Sequence, residues 1–455
     1  MKMKPLTIDM IARAVGGELC GDPAISGTLI TGVVHDSRDV QPGNLFVCIG
    51  GERFDGHDFA ESTHKSGAVC CLAEREVTGS PYILVDSTLR ALRDLGEYYR
   101  SLFDIPVIGV TGSVGKTTAK EMIASVLSQK YNVLKTPANL NNEIGVPLTL
   151  LSLREDHEAA IIEMGISDFG EMHRLSKMVR PDICLMTTIG YCHLDNLGDL
   201  NGVLKAKSEV FDFMQSSGYA ILSGDDELLR IFDPGVNKIT FGLDSQNDYY
   251  AKNIINHGIS GITCDIINGE TVYHVDIPAF GSHMVLGALP AVIVGNLLGL
   301  SPEMISRGLL TYIPVGGRAN IQDTGFITLI DDCYNANPNS VTASILSLCT
   351  LEGKKIAILG DMKELGRDSK ALHREIGMFC GKCGVDSLIC CGEMAEFIYK
   401  GLISTGISIE AWHFPLKSAL LSVLPSLVKS GDNVLVKASH SMQFEEIVEE
   451  LKRLS

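Results

Sequence analysis

Short apolar runs bounded by polar turns alternate with helix-like segments through the second and third parts of the chain. In the middle of the chain the runs predicted to be strands are 105–110, 159–163 and 183–188. Towards the C-terminus the corresponding runs are 327–330, 355–359, 387–391 and 433–436. The segments 116–130 and 340–349 have helical spacing and follow strands directly. Strands that alternate with helices in this way predict two parallel α/β sheets.

The N-terminal part of the chain predicts a smaller α/β unit. Residues 8–15 have helical spacing and stop at Gly16 and Gly17, which are suited to end a helix. The strand-like pieces that follow are 29–34, 45–49, 68–72 and 82–85. A Pro-Val-Gly-Gly stretch at 314–317 is a natural linker. We therefore expect three domains, at 1–102, 103–313 and 314–455.

One stretch raises the question of a membrane span. Residues 282–300 contain no formally charged residue and are long enough to cross a bilayer. His283, Pro290 and Asn296 interrupt the stretch, and many of its residues are small. We expect a buried helix there and no membrane span.

Composition restricts the classes of function. The chain has 455 residues, 45% hydrophobic and 20% charged, which describes a soluble, core-forming protein of about two to four domains. A formal net charge of −17 argues against a nucleic-acid partner, although a local phosphate site remains compatible with it. The 13 cysteines are scattered and Cys380-x-x-Cys383 has no second pair, so reduced thiols in a cytoplasmic protein are expected. The lysines of residues 1–5 precede no apolar stretch, so no signal peptide is predicted.

The strongest chemical signal is a glycine-rich turn between a predicted strand and a predicted helix. It reads Gly109-Val110-Thr111-Gly112-Ser113-Val114-Gly115-Lys116-Thr117-Thr118. In such a turn backbone N–H groups converge on an anion at a helix N-terminus, Lys116 can reach the outer phosphates, and Thr117 can offer its hydroxyl to Mg²⁺. Val110 stands where the strict pattern has glycine. An ordinary glycine turn is the alternative, but Gly-Lys-Thr after an apolar run favours nucleotide binding.

Polar residues follow the other strands of the middle unit. Glu163 ends one strand and His193 lies in the loop after the next. Ligands of parallel sheets bind at the carboxyl ends of the strands. Glu163 is therefore a candidate Mg²⁺ ligand, direct or through water. Lys207, on a predicted helix, indicates by itself only a solvated face.

Polar clusters also follow three predicted strands of the third unit, at 331–338, 360–362 and 437–440. Each alone is compatible with an ordinary strand-to-helix turn, but three at one edge of a sheet predict a ligand-facing rim. In the first unit the loops 35–38 and 55–59 contain serine, arginine and histidine. By themselves these two loops indicate solvated turns with an aspartate cap.

Taken in order, these motifs resemble those of the Mur ligases, ATP-dependent amide-forming enzymes of peptidoglycan precursor synthesis, over nearly the whole chain. The resemblance implies a small α/β domain for a UDP-sugar, a central P-loop ATPase-like parallel-sheet domain, and a C-terminal Rossmann-like α/β domain that closes on ATP and binds the incoming dipeptide. Residues matched to substrate positions are Ser37, Arg38, Asp55, His57, Asn139, Asn141, Asn142, Lys437 and Ser439. Residues matched to the ATP site are Gly112, Ser113, Val114, Gly115, Lys116, Thr117, Thr118, Arg318, Asp332, Tyr334, Asn335 and Asn337.

The resemblance also implies the catalytic and metal positions. The catalytic residues would be Lys116, Glu163, His193 and Lys207. Thr117 and Glu163 would hold one Mg²⁺, and His193 and Lys207 a second. In this family the lysine is commonly carbamylated by CO₂, which turns a cation into an anionic oxygen ligand.

The motif Gly-Asp-Met-Lys-Glu-Leu-Gly at 360–366 resembles that of the branch that joins D-alanyl-D-alanine to UDP-N-acetylmuramoyl-tripeptide. The implied reaction proceeds through an acyl phosphate and gives ADP and phosphate. We expect a cytoplasmic monomer whose partners are small-molecule substrates. The alternatives are another ligase of the family, adding a third amino acid or acting on folate, and, less favoured, a P-loop module that binds ATP without chemistry.

Two departures from the family pattern leave contacts open. The family's His-Asn-Val reads His283-Met284-Val285 here, and Gly287 stands where a second asparagine is expected, so the adenine contacts stay open. Near the C-terminus His440 replaces a usual arginine, and a neutral histidine cannot supply a fixed bidentate charge. The third residue of the tripeptide, lysine or diaminopimelate, and the acceptor, D-Ala-D-Ala, D-Ala-D-Ser or D-Ala-D-lactate, also stay open.

Overall fold

A computed structural model describes residues 3–51 and 54–454. Met1 and Lys2, at the start of the stretch inspected for a signal peptide, lie outside the described residues. The described strands form one two-stranded pair and three larger sheets, of five, nine and six strands. The three larger sheets follow one another along the chain, and helices cover them. The predicted mixed α/β fold with several parallel sheets is confirmed.

The N-terminal unit is built on the five-stranded sheet. The strands of the unit are β1 (Leu6–Thr7), β2 (Glu18–Cys20), β3 (Leu29–Ile30), β4 (Gly32–Val34), β5 (Asn44–Val47), β6 (Ala68–Ala73) and β7 (Tyr82–Leu84). Of these, β1 and β3 form the two-stranded pair and the other five form the sheet. Its helices are α1 (Ile8–Val15), α2 (Ala60–Lys65) and α3 (Thr88–Arg100). The helix predicted over 8–15 is confirmed, because the Thr7 side chain accepts from the Met10 N–H and Gly16, at φ 63°, ends the helix.

The prediction of one strand over 29–34 is wrong. The run divides at Thr31 between two partners, since β3 pairs antiparallel with β1 whereas β4 pairs parallel with β5. The Thr31 N–H donates to the Gly43 carbonyl and the Thr31 carbonyl accepts from the Met3 N–H. Apolar patterning identified extended chain here but could not show that it changes sheets.

The middle unit contains the nine-stranded sheet. Its strands are β8 (Val107–Thr111), β9 (Val133–Lys135), β10 (Ala159–Glu163), β11 (Ile183–Met186), β12 (Tyr219–Ser223), β13 (Asn237–Gly242), β14 (Tyr249–Asn256), β15 (Ile262–Asn268) and β16 (Thr271–Ile277). Its helices are α4 (Lys116–Leu127), α5 (Gly145–Leu150), α6 (Glu171–Val179), α7 (Leu194–Leu197), α8 (Leu200–Ser208), α9 (Glu227–Ile231), α10 (Val285–Leu297) and α11 (Pro302–Leu310).

The strand order of this sheet is β16-β15-β14-β13-β12-β11-β8-β10-β9. Neighbours from β9 to β14 are parallel, which confirms the predicted alternation of strands and helices. The antiparallel meander β14–β16 extends the sheet and was not predicted. Since β8 pairs with both β10 and β11, the glycine-rich turn after β8 lies beside the ends of both of those strands.

The charge-free stretch 282–300 forms α10, which is buried against α4 as expected. The two helices approach closely at Gly287, where an added Cβ would lie 3.1 Å from Met122 Sδ and Thr118 Cγ2. A side chain at this position would require the Met122 and Thr118 side chains to shift, because the interface is close-packed. Within residues 3–51 and 54–454, no helix is long and apolar enough to cross a membrane.

The C-terminal unit contains the six-stranded sheet, in the order β17-β18-β22-β19-β20-β21. Its strands are β17 (Asn320–Asp323), β18 (Thr328–Asp331), β19 (Lys355–Gly360), β20 (Ser387–Cys391), β21 (Glu410–Phe414) and β22 (Asn433–Lys437). Its helices are α12 (Pro338–Leu348), α13 (Ser369–Cys383), α14 (Ala395–Ile403), α15 (Lys417–Leu427) and α16 (Glu445–Lys452). All pairs are parallel except β17–β18.

The hydrophobic cores join the three units. The N-terminal and middle sheets share one continuous core, to which α3 contributes Leu92, Leu95 and Tyr99. The Tyr99 hydroxyl donates to the Leu153 carbonyl at 2.7 Å, which fixes α3 to the middle unit. Phe280 of the middle unit is buried in the core of the six-stranded sheet. Both outer units are therefore packed against the middle one.

Candidate active site

A cavity of about 620 Å³ lies where the three units meet. Most of the residues predicted for the ATP site and for catalysis line it, together with three residues predicted to bind substrate, Asn141, Asn142 and Lys437. They are Ser113, Val114, Gly115, Lys116, Thr117, Thr118, Asn141, Asn142, Glu163, His193, Arg318, Asp332, Tyr334, Asn335, Asn337 and Lys437. The predicted residues that do not line it are Gly112, Lys207, Asn139, Ser439, Ser37, Arg38, Asp55 and His57.

The glycine-rich turn has the geometry of a phosphate-binding loop. Gly112 has φ 132°, and a Cβ there would lie 2.0 Å from Thr187 Oγ1, so only glycine fits. The helix α4 begins at Lys116, and its first N–H groups have no carbonyl partner within the helix. Val110 is fully buried inside β8, so the turn begins after it. A valine in place of the glycine of the strict pattern is therefore compatible with the loop.

Lys116 is held back on its own loop. Its Nζ donates to the Gly112 carbonyl at 2.7 Å. Burial lowers the pKa of Lys116, and the negative charge of Glu163 partly opposes that effect. The ammonium group therefore lies against the loop that would hold the phosphates, within reach of the cavity.

Thr117 and Glu163 form the centre of the site. The Thr117 hydroxyl lies 3.1 and 3.0 Å from the two carboxylate oxygens of Glu163. Asn141 Nδ2 donates to Glu163 Oε1 at 2.8 Å, and the Glu163 N–H donates to Thr136 Oγ1 at 2.9 Å. Hydroxyl and carboxylate oxygens are the ligands that Mg²⁺ prefers.

Lys120, which no sequence motif indicated, completes this centre. It is fully buried, and its Nζ lies 3.5 Å from Glu163 Oε2, 3.2 Å from Glu121 Oε1 and 2.8 Å from the Thr136 carbonyl. A lysine four residues after Lys116 lies on the same face of α4, which was the available signal. Its charge compensates the Glu163 carboxylate, which has almost no contact with water, and contributes to the pairing of Glu121, which Lys135 also contacts.

His193 joins the middle and C-terminal units. It has φ 52° and immediately precedes α7, and its Nδ1 lies 2.6 Å from Glu364 Oε2. The Leu194 N–H donates to the Glu364 carbonyl at 3.0 Å. Hydrogen bonding from His193 lowers the pKa of the Glu364 carboxyl. The predicted metal ligand is thus paired, through one ring nitrogen, with a residue of the 360–366 motif.

Lys207 lies on α8 and is only 1% exposed. Its pKa falls to about 8 mainly because of burial, and the positive charge of Lys116 acts in the same direction. Among residues 3–51 and 54–454, no group forms a hydrogen bond or ion pair with its ammonium. The interpretation of Lys207 as a solvated residue is therefore wrong: α8 directs it inward.

The three polar clusters of the C-terminal unit follow β18, β22 and β19, which are neighbours, so the clusters form one rim of the sheet as predicted. The role of this rim in binding a ligand stays a prediction. Its centre is Asp332, whose Oδ2 accepts from Lys437 Nζ and from the Ser344 hydroxyl at 2.5 Å each. Its Oδ1 accepts from the Ala319 N–H at 3.0 Å. Lys437 also donates to the Asn335 carbonyl at 3.1 Å.

Arg318 and Tyr334 are stacked at the border of the cavity. The guanidinium carbon of Arg318 lies 3.9 Å from the centre of the Tyr334 ring. The His440 ring lies 5.3 Å from the same tyrosine on the exposed rim. Asn337 caps α12 by accepting from the Ser340 N–H at 2.9 Å. Stacking on Tyr334 restricts the orientation of Arg318 without using its N–H donors.

The predicted UDP-substrate residues belong to the N-terminal unit, away from the cavity. Arg38 forms an ion pair with Asp36 and is 84% exposed. His57 is buried, with Nδ1 2.6 Å from Asp55 Oδ1 and Nε2 accepting from the Glu74 N–H at 2.9 Å. Both ring nitrogens of His57 are thus engaged, one within its own loop and the other with the backbone after β6.

The remaining predicted polar residues support local structure. Asn142 Oδ1 accepts from the Ile144 and Gly145 N–H groups before α5. Asn139 is exposed on the same loop. Ser439 accepts from the Lys363 N–H at 2.9 Å, which connects the loops after β22 and β19.

A charged cluster that the sequence did not indicate also borders the cavity. Arg174 Nε and Nη2 donate to the two carboxylate oxygens of Glu143, at 2.5 and 3.0 Å. Arg93 Nη1 donates to the same carboxylate at 2.7 Å. Arg93 and Glu143 line the cavity, and Arg93 comes from α3 of the N-terminal unit.

A phosphate-binding loop that faces a cavity between three sheets is the arrangement of a nucleotide-binding enzyme. Three family descriptions match successive parts of the chain: the Mur ligase family catalytic domain at residues 29–100, the Mur ligase middle domain at 110–295, and the Mur ligase glutamate ligase domain at 317–440. The chain belongs to the Mur ligase family.

Individual relatives match over nearly their whole length. The UDP-N-acetylmuramoyl-tripeptide–D-alanyl-D-alanine ligase of Bacillus subtilis (strain 168) is 37% identical over 453 residues, 98% of each chain. The crystal structure of MurF from Acinetobacter baumannii has a TM-score of 0.92 at 30% identity, covering 99% of both chains. MurF ligase from Thermotoga maritima in complex with ADP has a TM-score of 0.83 at 30% identity, covering 93% of this chain and 97% of that one.

Proposed function

We propose that the chain is an ATP-dependent ligase that joins D-alanyl-D-alanine to the tripeptide carboxylate of UDP-N-acetylmuramoyl-tripeptide, in peptidoglycan precursor synthesis. The observation that carries the proposal is that the phosphate loop, the Thr117–Glu163 pair and the Asp332–Lys437 pair line one cavity. Relatives of that name match the chain almost end to end, which supports the choice of substrates. The enzyme acts in the cytoplasm as a monomer.

Each of the three units has its own role in the proposal. Residues 1–102 bind the UDP-sugar, residues 103–313 bind ATP, and residues 314–455 close on ATP and bind the incoming dipeptide. The ends of the elements support these boundaries, because α3 ends at Arg100 and β8 begins at Val107. The segment between α11 and β17 contains Ile313, which is 81% exposed, as expected for a hinge.

The reaction has two steps. A carboxylate oxygen of the tripeptide attacks the γ-phosphorus of ATP, and the bond from that phosphorus to the bridging oxygen breaks. ADP departs, and the tripeptide now carries an acyl phosphate. The amine of D-alanyl-D-alanine then attacks the acyl carbon and loses a proton. Phosphate leaves from the tetrahedral intermediate, and the amide bond remains.

Neutralisation of charge is the main task, since two anions meet in the first step. The Lys116 ammonium group gives up its hydrogen bond to the Gly112 carbonyl and donates to phosphate oxygens instead. The first N–H groups of α4 bind the same phosphates. Arg318, whose orientation Tyr334 restricts, approaches the γ-phosphate. Asp332 takes a ribose hydroxyl, because its three protein donors leave one of about four acceptor sites free.

The Thr117–Glu163 pair fits a Mg²⁺ ion. Within residues 3–51 and 54–454, no group of three or more histidine, cysteine, aspartate or glutamate side chains is arranged for a metal. That agrees with Mg²⁺, which commonly takes few protein ligands and completes its shell with phosphates and water. When bound, the ion would neutralise phosphate charge, while Asn141 and Lys120 hold the Glu163 carboxylate in place. His193 has one ring nitrogen left, beyond the one paired with Glu364, for the second ion.

Lys207 suits carbamylation. The reaction requires a neutral amine, and with a pKa of about 8 roughly a tenth of the side chain is neutral at pH 7. The amine nitrogen attacks the carbon of CO₂ and loses a proton, which leaves an anionic carbamate. Its oxygens would serve the second Mg²⁺ together with His193. The buried amine without a partner is the observation that supports this step.

The proposal is tested by measuring phosphate release with ATP, purified UDP-N-acetylmuramoyl-tripeptide and D-alanyl-D-alanine, omitting each in turn. Release that requires all three substrates is expected. Release that requires a single amino acid or a folate instead would identify another ligase of the family. Nucleotide binding with no release under any combination would identify a module without chemistry.

A further inference from the structure

The charged cluster beside the cavity is formed by Arg93, Glu143 and Arg174, and nothing in the proposed reaction uses it. Each residue comes from a different element: Arg93 from α3, Glu143 from the loop before α5 and Arg174 from α6. They are brought together because α3 packs against both α5 and α6. The cluster therefore connects the N-terminal unit to the loop that carries Asn141.

The hydrogen bonds within the cluster are unequal. Arg174 takes both carboxylate oxygens of Glu143 in a bidentate pair, at 2.5 and 3.0 Å. Arg93 reaches the same carboxylate through Nη1 alone, at 2.7 Å. A guanidinium has five N–H donors, and no further partner of the Arg93 side chain is found among residues 3–51 and 54–454. Arg93 is thus oriented by Glu143 and keeps most of its donors.

These free donors belong to a side chain that lines the cavity and is 23% exposed. A partly desolvated guanidinium with free donors favours a planar anion, and a carboxylate fits it in a bidentate manner. The phosphates of ATP already have the loop at 112–117. Apolar lining from Leu89, Ile144 and Ile166 surrounds this part of the cavity, which suits the body of a peptide.

We propose that Arg93 binds a carboxylate of the tripeptide other than the one that is activated. This inference rests on the function proposed above. Arg93 is in this sense a binding residue that selects for the peptide, and the Glu143–Arg174 pair positions its guanidinium. A diaminopimelate side chain and an acidic residue earlier in the peptide are the two sources of such a carboxylate.

The test compares Arg93→Gln with Arg90→Gln in the full-length enzyme. Arg90 is the matched control, because it lies on the same helix, pairs with Asp94 at 3.7 Å and does not line the main cavity. Loss of a charge-assisted bidentate contact should raise the KM for the tripeptide substrate about 10- to 100-fold in Arg93→Gln. The KM values for ATP and D-alanyl-D-alanine should stay within about twofold.

To identify which carboxylate Arg93 binds, the KM is measured with tripeptide substrates in which one non-reacting carboxylate at a time is converted to a carboxamide. One such substrate should have equal KM values with the wild type and Arg93→Gln, and lysine in place of diaminopimelate tests the side chain directly. Arg93→Lys keeps the charge but not the fork, so it should also raise the KM for the tripeptide substrate above the wild-type value. It serves as the test variant if Arg93→Gln does not fold.

Three outcomes would overturn the proposal. The first is an unchanged KM for the tripeptide substrate in Arg93→Gln, or the same increase in KM from wild type to Arg93→Gln with every carboxamide substrate. Either result shows that no single carboxylate binds Arg93. Weaker inhibition by UDP alone in Arg93→Gln shows that Arg93 contacts the diphosphate instead. Absence of ligation in both the wild type and Arg90→Gln counts against the proposed function itself and is distinguishable from the other outcomes.

Discussion

Replacing Lys207 by methionine should stabilise the protein near neutral pH and remove its activity. Lys207 is buried on α8 with no partner among residues 3–51 and 54–454. Its pKa falls from the ordinary 10.5 to about 8 because burial disfavours the ammonium form. Methionine has a similar length, carries no charge and suits an apolar site. The variant therefore removes a buried unpaired charge while leaving the volume of the side chain nearly unchanged.

The magnitude follows from the two pKa values. A difference of one pKa unit corresponds to about 1.4 kcal/mol, so the change from 10.5 to about 8 gives roughly 3 kcal/mol. The folded pKa lies below the unfolded pKa, so the penalty is fully present below pH 8. It decreases as the pH rises from about 8 and is nearly gone at about pH 10.5, where both states carry a neutral amine.

The assay is denaturant unfolding of wild type and Lys207→Met in CO₂-free buffer with EDTA, at several pH values between 7 and 10.5. We expect the variant to be more stable by about 3 kcal/mol at pH 7, with a difference that approaches zero as the pH rises. Bicarbonate should stabilise the wild type alone, since a carbamate forms only on the lysine. A variant that is less stable at pH 7, or a difference independent of pH, would refute the reasoning.

Lys207→Ala should lower the rate of ligation, and short carboxylic acids should restore it because they supply the missing oxygens. Full activity of this variant without added acid would contradict the carbamate. Lys116→Ala should abolish ligation but retain UDP-substrate binding by calorimetry, since that substrate is assigned to another unit. Thr111→Val should raise the free energy of unfolding by about 1 kcal/mol, because Thr111 Oγ1 is a buried hydroxyl oxygen that forms no hydrogen bond within residues 3–51 and 54–454; a decrease would reveal a partner. Lys120→Met should lower the free energy of unfolding by about 3 kcal/mol, because the buried Glu163 carboxylate loses its ion pair with Lys120. Unchanged stability would show that Glu163 does not depend on Lys120.

Features encoded by local patterning could be predicted from the sequence. The strand ending at Glu163, the turn around Gly112 and the three polar ends of β18, β19 and β22 each depend on a few consecutive residues. Parallel pairing then brings those ends to one edge of a sheet, and no detail of packing is needed. Several residues that line the cavity could be located in this way, whereas their assignment to an ATP site came from the family resemblance and stays a prediction.

Features that depend on distant partners could not be predicted. Lys120 and Lys207 have the sequence context of surface residues, and only the packing of the helices around them shows that they are buried. Arg93 meets Glu143 fifty residues further along the chain, and His193 meets Glu364 across two units. The meander at β14–β16 was missed because its exposed edge gives only short alternating runs.

Because Phe280 is buried in the core of the six-stranded sheet, the packed C-terminal unit includes a residue that precedes its start in the sequence. The chain changes sheets near Pro314, but the aromatic ring that completes the core over α12 comes from an earlier residue. A fragment that begins at residue 314 would lack this ring and leave a hole in its interior, and the complementary fragment would expose the ring to water. Excision of the C-terminal unit by proteolysis or gene truncation should therefore lower its stability and yield aggregation-prone pieces.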